Sequence, residues 1–166
     1  FHGGLIGVIL SLYVYSYQYR ISFLRLADSI CLAMPIGLGL VRIGNFMNGE
    51  LFGRPTDGTW GFIFPTDPYG FTRHPSQLYE AFFEGVFLFV LLMLINAKNN
   101  KHGVISGTFL LSYGAIRFFV EYFRQPDSHM GFVALQLSMG QLLSIPMAII
   151  GLLLLMKSLK KNEAIS

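Results

Sequence analysis

Five apolar runs, residues 3–19, 27–41, 78–97, 103–122 and 138–156, occupy most of this chain and constrain its fold more than any other feature. Each is near the ~20 residues that a helix needs to cross a ~30 Å hydrocarbon core, although the second is shorter. Only 13% of the 166 residues are charged, whereas a soluble domain carries about 25%. The pattern predicts an all-α integral membrane protein with about five transmembrane helices in one polytopic domain over residues 1–166. Pro35 and the glycines of the second run are tolerated in such helices, where small residues also let neighbours approach closely.

Composition excludes several classes. The net charge of +3 comes from basic residues dispersed among apolar runs; no basic face forms, so nucleic acid is not an expected partner. The single cysteine, Cys31, lies in an apolar run and reads as a small core hydrophobe, with no intramolecular disulfide available to it. The chain starts at Phe1 with apolar sequence and lacks a signal-peptide pattern, so it is expected to be a fragment of a longer protein.

Loop charges set an orientation. Arg20, Arg25, Lys98, Lys101, Lys157, Lys160 and Lys161 flank one end of the predicted helices, whereas Arg42, Arg54, Arg73 and Arg124 flank the other, interspersed with Glu50, Asp57, Asp67 and Asp127. The lysine and arginine excess places the first end in the cytoplasm and the second outside.

Residues 42–77, facing outward in this scheme, are too long for a simple connector and so are expected to be functional. They are expected to form a small cap on the outer surface, with Trp60 and Tyr69 at headgroup level. The cap's first part, RIGNFMNGELFGRPT at residues 42–56, brings Arg42, Asn45, Asn48 and Glu50 to the point where an apolar helix ends. Charged groups at membrane depth are costly, so they are read as functional and assigned partners.

Two other helices carry polar stripes to the same level. Tyr113, Arg117, Glu121 and Arg124 fall within about 80° of one another on a helix. Arg117 lies 14 residues beyond Gly103, hence ~21 Å along the helix and in the outward half of the bilayer. Gln77, Glu80 and Glu84 share a face of the third helix, where the two carboxylates call for cationic partners. His2 stands at the outward end of the first helix, and the last helix reads as apolar packing. Several arginines beside amide donors suit a phosphate group, which guanidinium binds in bidentate fashion.

The four histidines are scattered and show no metal-ligand spacing, and no phosphate- or dinucleotide-binding glycine pattern occurs, so neither a metal nor a cofactor is expected. On these residues alone, a transporter subunit and a non-catalytic lipid-binding module remain as alternatives to an enzyme. The apolar cytoplasmic halves of the helices disfavour transport.

Four motifs resemble the bacterial prolipoprotein diacylglyceryl transferases: HGG at residues 2–4, RIGNFMNGELFG at 42–53, RHPSQLYEA at 73–81 and YGAIRFFVEYFRQPD at 113–127. They run in order along the chain, which would lack the family's amino-terminal part. The resemblance implies a multi-pass protein of the bacterial inner membrane with its active site toward the extracytoplasmic face. The implied reaction moves the diacylglyceryl group of phosphatidylglycerol to the lipobox cysteine thiol of a preprolipoprotein and releases glycerol phosphate. In that reading Arg42 and Arg117 hold the lipid phosphate, and Asn45 and Gly53 shape the headgroup pocket with Asn48, Gln77 and Glu80. Glu50 and Glu121 orient the arginines or the glycerol hydroxyls. His2 is the first candidate for the base, with an ordinary pKa near 6.5, and Tyr113 the second, with one near 10. A group from the amino-terminal part is a third.

Overall fold

The computed structural model describes residues 2–99, 101–125, 132–134 and 137–160, excluding the side chains of His2 and of residues 132–134. Six α-helical segments dominate: α1 (His2–Tyr19), α2 (Phe23–Met47), α3 (Ser76–Glu80), α4 (Leu88–Lys98), α5 (Val104–Val120) and α6 (Met139–Lys160). A π-helical stretch, Ala81–Phe87, joins α3 to α4, so Ser76–Lys98 runs as one rod. The five expected helices are therefore present. Phe23–Met47, Ser76–Lys98 and Met139–Lys160 are long and apolar enough to cross a membrane, and α5 is a shorter apolar helix.

The exterior is apolar and the interior partly polar, the reverse of a soluble bundle. Leu40, Val86, Leu94 and Leu153 are exposed, whereas Gln77, Glu80, Glu84 and Gln141 are buried. Lipid can face the first set; the second must find partners inside the protein. The apolar core is a cluster of Leu88, Leu92, Ile105 and Phe109, flanked by Cys31 and Tyr113.

Close helix crossings place the site. Gly39 of α2 meets Gly85 of the π stretch so tightly that a Cβ on Gly85 would lie 2.9 Å from the Gly39 Cα. Backbones this close need the small residues seen at membrane helix interfaces. α5 and α6 pack antiparallel in the same way, with Gly107 against Leu155 and Gly151 against Leu111. At one end of the bundle the Asp28 carboxylate accepts hydrogen bonds from the backbone N–H groups of Gly103 (2.6 Å) and Ser106 (2.8 Å) and from the Ser106 hydroxyl (2.6 Å). A side chain of α2 thus caps the start of α5.

At the other end sits a folded cap. Strand β1 (Phe62–Ile63) pairs antiparallel with β2 (Thr72–Arg73). Single bridges join Pro55 to Arg73 and Gly53 to Arg124. Asp67 and Arg73 staple the cap in bidentate fashion, Nε to Oδ2 at 2.7 Å and Nη2 to Oδ1 at 3.0 Å, with the guanidinium over the Phe52 ring. Arg73 beside it, together with the Tyr69 and Phe71 amides, holds the Asp67 carboxyl below its ordinary range. A second hairpin, β3 (Phe132–Ala134) with β4 (Leu137–Ser138), leads into α6.

The structure corrects three expectations. α2 does not stop at residue 41 but continues to Met47, so Arg42 and Asn45 belong to its last turns and the cap starts after them. The polar turn is helical because its arginine meets buried carboxylates, a partnership that hydropathy cannot register. α5 ends at Val120, and Arg124 leaves the helical stripe to bridge Gly53. The last helix is not purely packing, because its first turn carries Gln141 and follows Ser138 into the polar interior. Asp127, His129 and Lys161 lie outside the described residues.

Candidate active site

Three helices bring five ionisable side chains together near the cap. From α2, the Arg42 Nε lies 2.7 Å from Glu80 Oε2, and its Nη2 lies 3.6 Å from Glu84 Oε2. From α5, the Arg117 Nη1 lies 3.3 Å from the same Glu80 oxygen and 3.7 Å from Glu84 Oε1. Arg117 also reaches Glu121 one turn on, Nη2 to Oε2 at 2.8 Å. The two carboxylates of the rod are thus wedged between guanidiniums from either side.

The π stretch begins immediately after Glu80 and contains Glu84, so the two carboxylates stand on a locally widened helix. π turns inside α-helices often mark functional sites. The Gly39–Gly85 crossing then draws α2 against this segment, setting Arg42 beside both acids.

Glu121 is held from its other side. Its Oε1 accepts the Ser138 hydroxyl at 2.9 Å, and it packs on Gly140, where an added Cβ would come within 2.9 Å of the carboxylate. Ser138 and Gln141 form a reciprocal box at the start of α6: each side-chain oxygen accepts the other's backbone N–H, at 3.1 and 3.3 Å. The carboxylate therefore lies at a helix N-terminus, where negative charge is favoured.

These ion pairs are close without being aligned. The Glu80 and Glu84 oxygens and Glu121 Oε2 accept no directed hydrogen bond among the described residues, despite separations as short as 2.7 Å, so the attraction is mainly coulombic. The Arg42 Nη1 enters no ion pair among the described residues. The cluster is electrically strong and its hydrogen-bonding capacity unspent. Its ion pairs join three carboxylates to two guanidiniums.

The other sequence candidates divide. Asn45 is half-buried in the last turn of α2, where its carbonyl accepts the Glu50 N–H at 2.8 Å, and Asn48 caps that helix and is exposed. Glu50 is exposed and makes no ion pair with Arg42 or Arg117 among the described residues. Its backbone carbonyl accepts the buried Gln77 amide at 2.6 Å instead. Gly53 is a junction: its N–H bonds the His74 carbonyl at 2.9 Å, and a Cβ there would fall 2.5 Å from that oxygen and 2.6 Å from the Phe123 carbonyl.

Tyr113 stacks on Phe109, with ring centroids 5.6 Å apart, one turn below Arg117. The backbone of His2 opens α1, and its side chain lies outside the described residues. Arg73 and Arg54, named as partners for the rod's acids, are committed elsewhere: Arg73 to Asp67, and Arg54 through Nε to the Arg124 carbonyl at 3.0 Å. Glu84 emerges as an equal member of the cluster. The sequence signalled it through its spacing from Glu80, whereas Ser138, Gly140 and Gln141 gave no signal in an apolar helix.

An apolar groove of about 590 Å³ runs between the rod and α5, lined by Tyr79, Phe83, Phe87, Ile116, Phe119 and Phe123. The arrangement can hold an anion at the arginines and an aliphatic chain alongside.

Comparison with known proteins gives one answer. The family described as prolipoprotein diacylglyceryl transferase matches residues 1–157. A phosphatidylglycerol–prolipoprotein diacylglyceryl transferase of Aliivibrio fischeri is 51% identical over 98% of this chain and 58% of its own length. The protein of the same name from Chlorobaculum tepidum is 47% identical over 98% of this chain and 56% of its own, and that from Bordetella parapertussis is 50% identical over 91% and 58%. This chain spans rather more than half the length of these relatives. With the matched region covering nearly all of it, the chain belongs to the prolipoprotein diacylglyceryl transferase family.

Proposed function

We propose that this chain carries the phosphate-binding part of a phosphatidylglycerol:prolipoprotein diacylglyceryl transferase, working at the outer face of the bacterial inner membrane. The observation that carries the reading is the meeting of Arg42 and Arg117 on one oxygen of Glu80, without aligned hydrogen bonds. Guanidiniums held by loose charge pairs can turn their N–H groups to an arriving phosphate at small cost. The fork geometry suits two phosphate oxygens. The apolar groove between the rod and α5 supports the same reading, because it offers an acyl chain a path along the two elements that carry Glu80 and Arg117.

In the proposed reaction a base removes the proton from the lipobox cysteine thiol of a preprolipoprotein. The thiolate sulfur attacks the glyceryl carbon bonded to the phosphate oxygen; a C–S bond forms and the C–O bond breaks. The bonding pair leaves on the phosphate oxygen, so glycerol phosphate departs and the diacylglyceryl group remains on sulfur as a thioether. Arg42 and Arg117 stabilise the developing phosphate charge from fixed positions in a site of low dielectric. Glu80, Glu84 and Glu121 hold the two guanidiniums before substrate arrives and take them back after release. His2 is the first candidate for the base and Tyr113 the second, and neither metal nor cofactor enters.

The experiment is release of glycerol phosphate from phosphatidylglycerol by the full-length protein in detergent, with a lipobox peptide and with the same peptide carrying serine for cysteine. Release that requires the cysteine is expected. No release with either peptide from folded protein would favour lipid binding without transfer.

A further inference from the structure

The end of the bundle remote from the arginine–carboxylate cluster has its own polar cavity, of about 460 Å³, between the start of α2, the end of α4 and the start of α5. Arg25, Lys101 and His102 line it with the amides of Asn96 and Asn99. We propose that this cavity is a second anion site, which takes the phosphate headgroup of an anionic phospholipid in the leaflet opposite the candidate active site. The inference needs only that the bundle spans a membrane, and it stands apart from the transferase reading.

Charge is the first argument. Asp28 is the one carboxylate in the cavity wall and, among the described residues, the one at this end of the bundle. Its oxygens are occupied by three donors from the start of α5, at 2.6, 2.8 and 2.6 Å. It makes no ion pair with Arg25 or Lys101 among the described residues. Arg25 is exposed, and among the described residues the Lys101 ammonium gives one hydrogen bond, to the Leu159 carbonyl at 3.3 Å. Lys98, Lys157 and Lys160 stand at the same end and deepen the positive potential. Basic pockets between helices at this level of a membrane bind lipid headgroups, and an arginine with amide donors matches a phosphodiester.

Position is the second. The cavity lies where apolar helix surface gives way to polar ends: Met93 and Leu94, exposed on α4, precede Asn96. A headgroup seated among Arg25, Asn96 and Lys101 would lay its acyl chains along that apolar face, which free phosphate cannot use. A lipid there would tie the end of α4 to α2 and α5, which Asp28 already joins.

The test places the full-length protein in phosphatidylcholine nanodiscs with or without phosphatidic acid and counts retained lipid by native mass spectrometry. The Arg25→Gln/Lys101→Gln protein is expected to retain phosphatidic acid about tenfold more weakly than wild type, as loss of charge-assisted bonds implies. Asp57→Asn, an exposed change on the cap at the opposite end, is expected to keep this lipid. Arg25 is exposed, so Arg25→Glu alone provides a folded variant with the same expected loss. Unchanged retention in the double variant or in Arg25→Glu overturns the site. Thermal stabilisation by inorganic phosphate equal to that by phosphatidic acid overturns the lipid as its occupant.

Discussion

Arg42 and Arg117, from helices far apart in the chain, share a single ion-pair partner, Glu80 Oε2, at 2.7 and 3.3 Å. Removing that carboxylate leaves two buried guanidiniums against Glu84 and Glu121. Breaking a buried ion pair from one side costs about 3–5 kcal/mol when the remaining charge is left uncompensated. Glu84 and Glu121 still face the two guanidiniums here, so Glu80→Ala should lower unfolding stability in detergent by less, about 1–3 kcal/mol, the loss of a buried polar partner. Glu50→Ala, at an exposed carboxylate outside the cluster, should stay within about 0.5 kcal/mol. Equal effects of the two would contradict the assignment of Glu80 as the hub.

The Gly39–Gly85 crossing should tolerate no side chain. A Cβ on Gly85 would sit 2.9 Å from backbone that cannot rotate away, whereas one on Gly37 would meet nothing within 4 Å. Gly85→Ala is expected to destabilise by about 1–3 kcal/mol, as overpacking does, and to lower activity by drawing Arg42 off the acids. Gly37→Ala should cost nothing, since alanine is the better helix former. Thermal unfolding of the two variants side by side decides it.

The cap should loosen in acid. Arg73 depresses the Asp67 carboxyl, so the contribution of this pair is complete above the ordinary aspartate value near 3.9 and is lost as pH falls through the lower folded value. Hydrogen exchange at residues 62–73 should accelerate in that acidic range in wild type. In Asp67→Asn it should be fast at neutral pH, with no further acid step attributable to this pair. An acid step of the same size in the variant would assign the transition elsewhere.

Asp28 caps α5 from a neighbouring helix. Asp28→Ala should cost about 0.5–2 kcal/mol, the usual loss of a helix cap. The exchange of the Gly103 and Ser106 amides should speed up before that of the rest of α5. Uniform acceleration along α5 would argue for a general packing defect instead.

Much of the fold could be read from the residues. The apolar runs locate five helices, and the three-and-four spacing of Gln77, Glu80 and Glu84 and of Tyr113 and Arg117 aims the right side chains inward. What escaped was set by contacts between distant segments. Arg42 and Asn45 look like a helix exit, yet they stay helical because Glu80 and Glu84 answer the charge. Arg73 looks available to those acids, but Asp67, six residues back, takes it first. Arg124 fits the stripe of α5 until the backbone turns at Glu121 to bridge Gly53. The π stretch and the Ser138–Gln141 box leave no periodic mark, since each depends on how one helix end meets its neighbour.

The most direct test is the turnover of full-length Arg117→Lys protein with phosphatidylglycerol and a lipobox cysteine peptide, followed as glycerol phosphate release. Lysine keeps the charge and loses the fork. If Arg117 stabilises the departing phosphate with Arg42, kcat should fall by about 10²–10³, the loss seen when one donor to a developing anion is removed. The protein should remain folded. An undiminished kcat in folded Arg117→Lys protein would contradict the account and place the phosphate elsewhere.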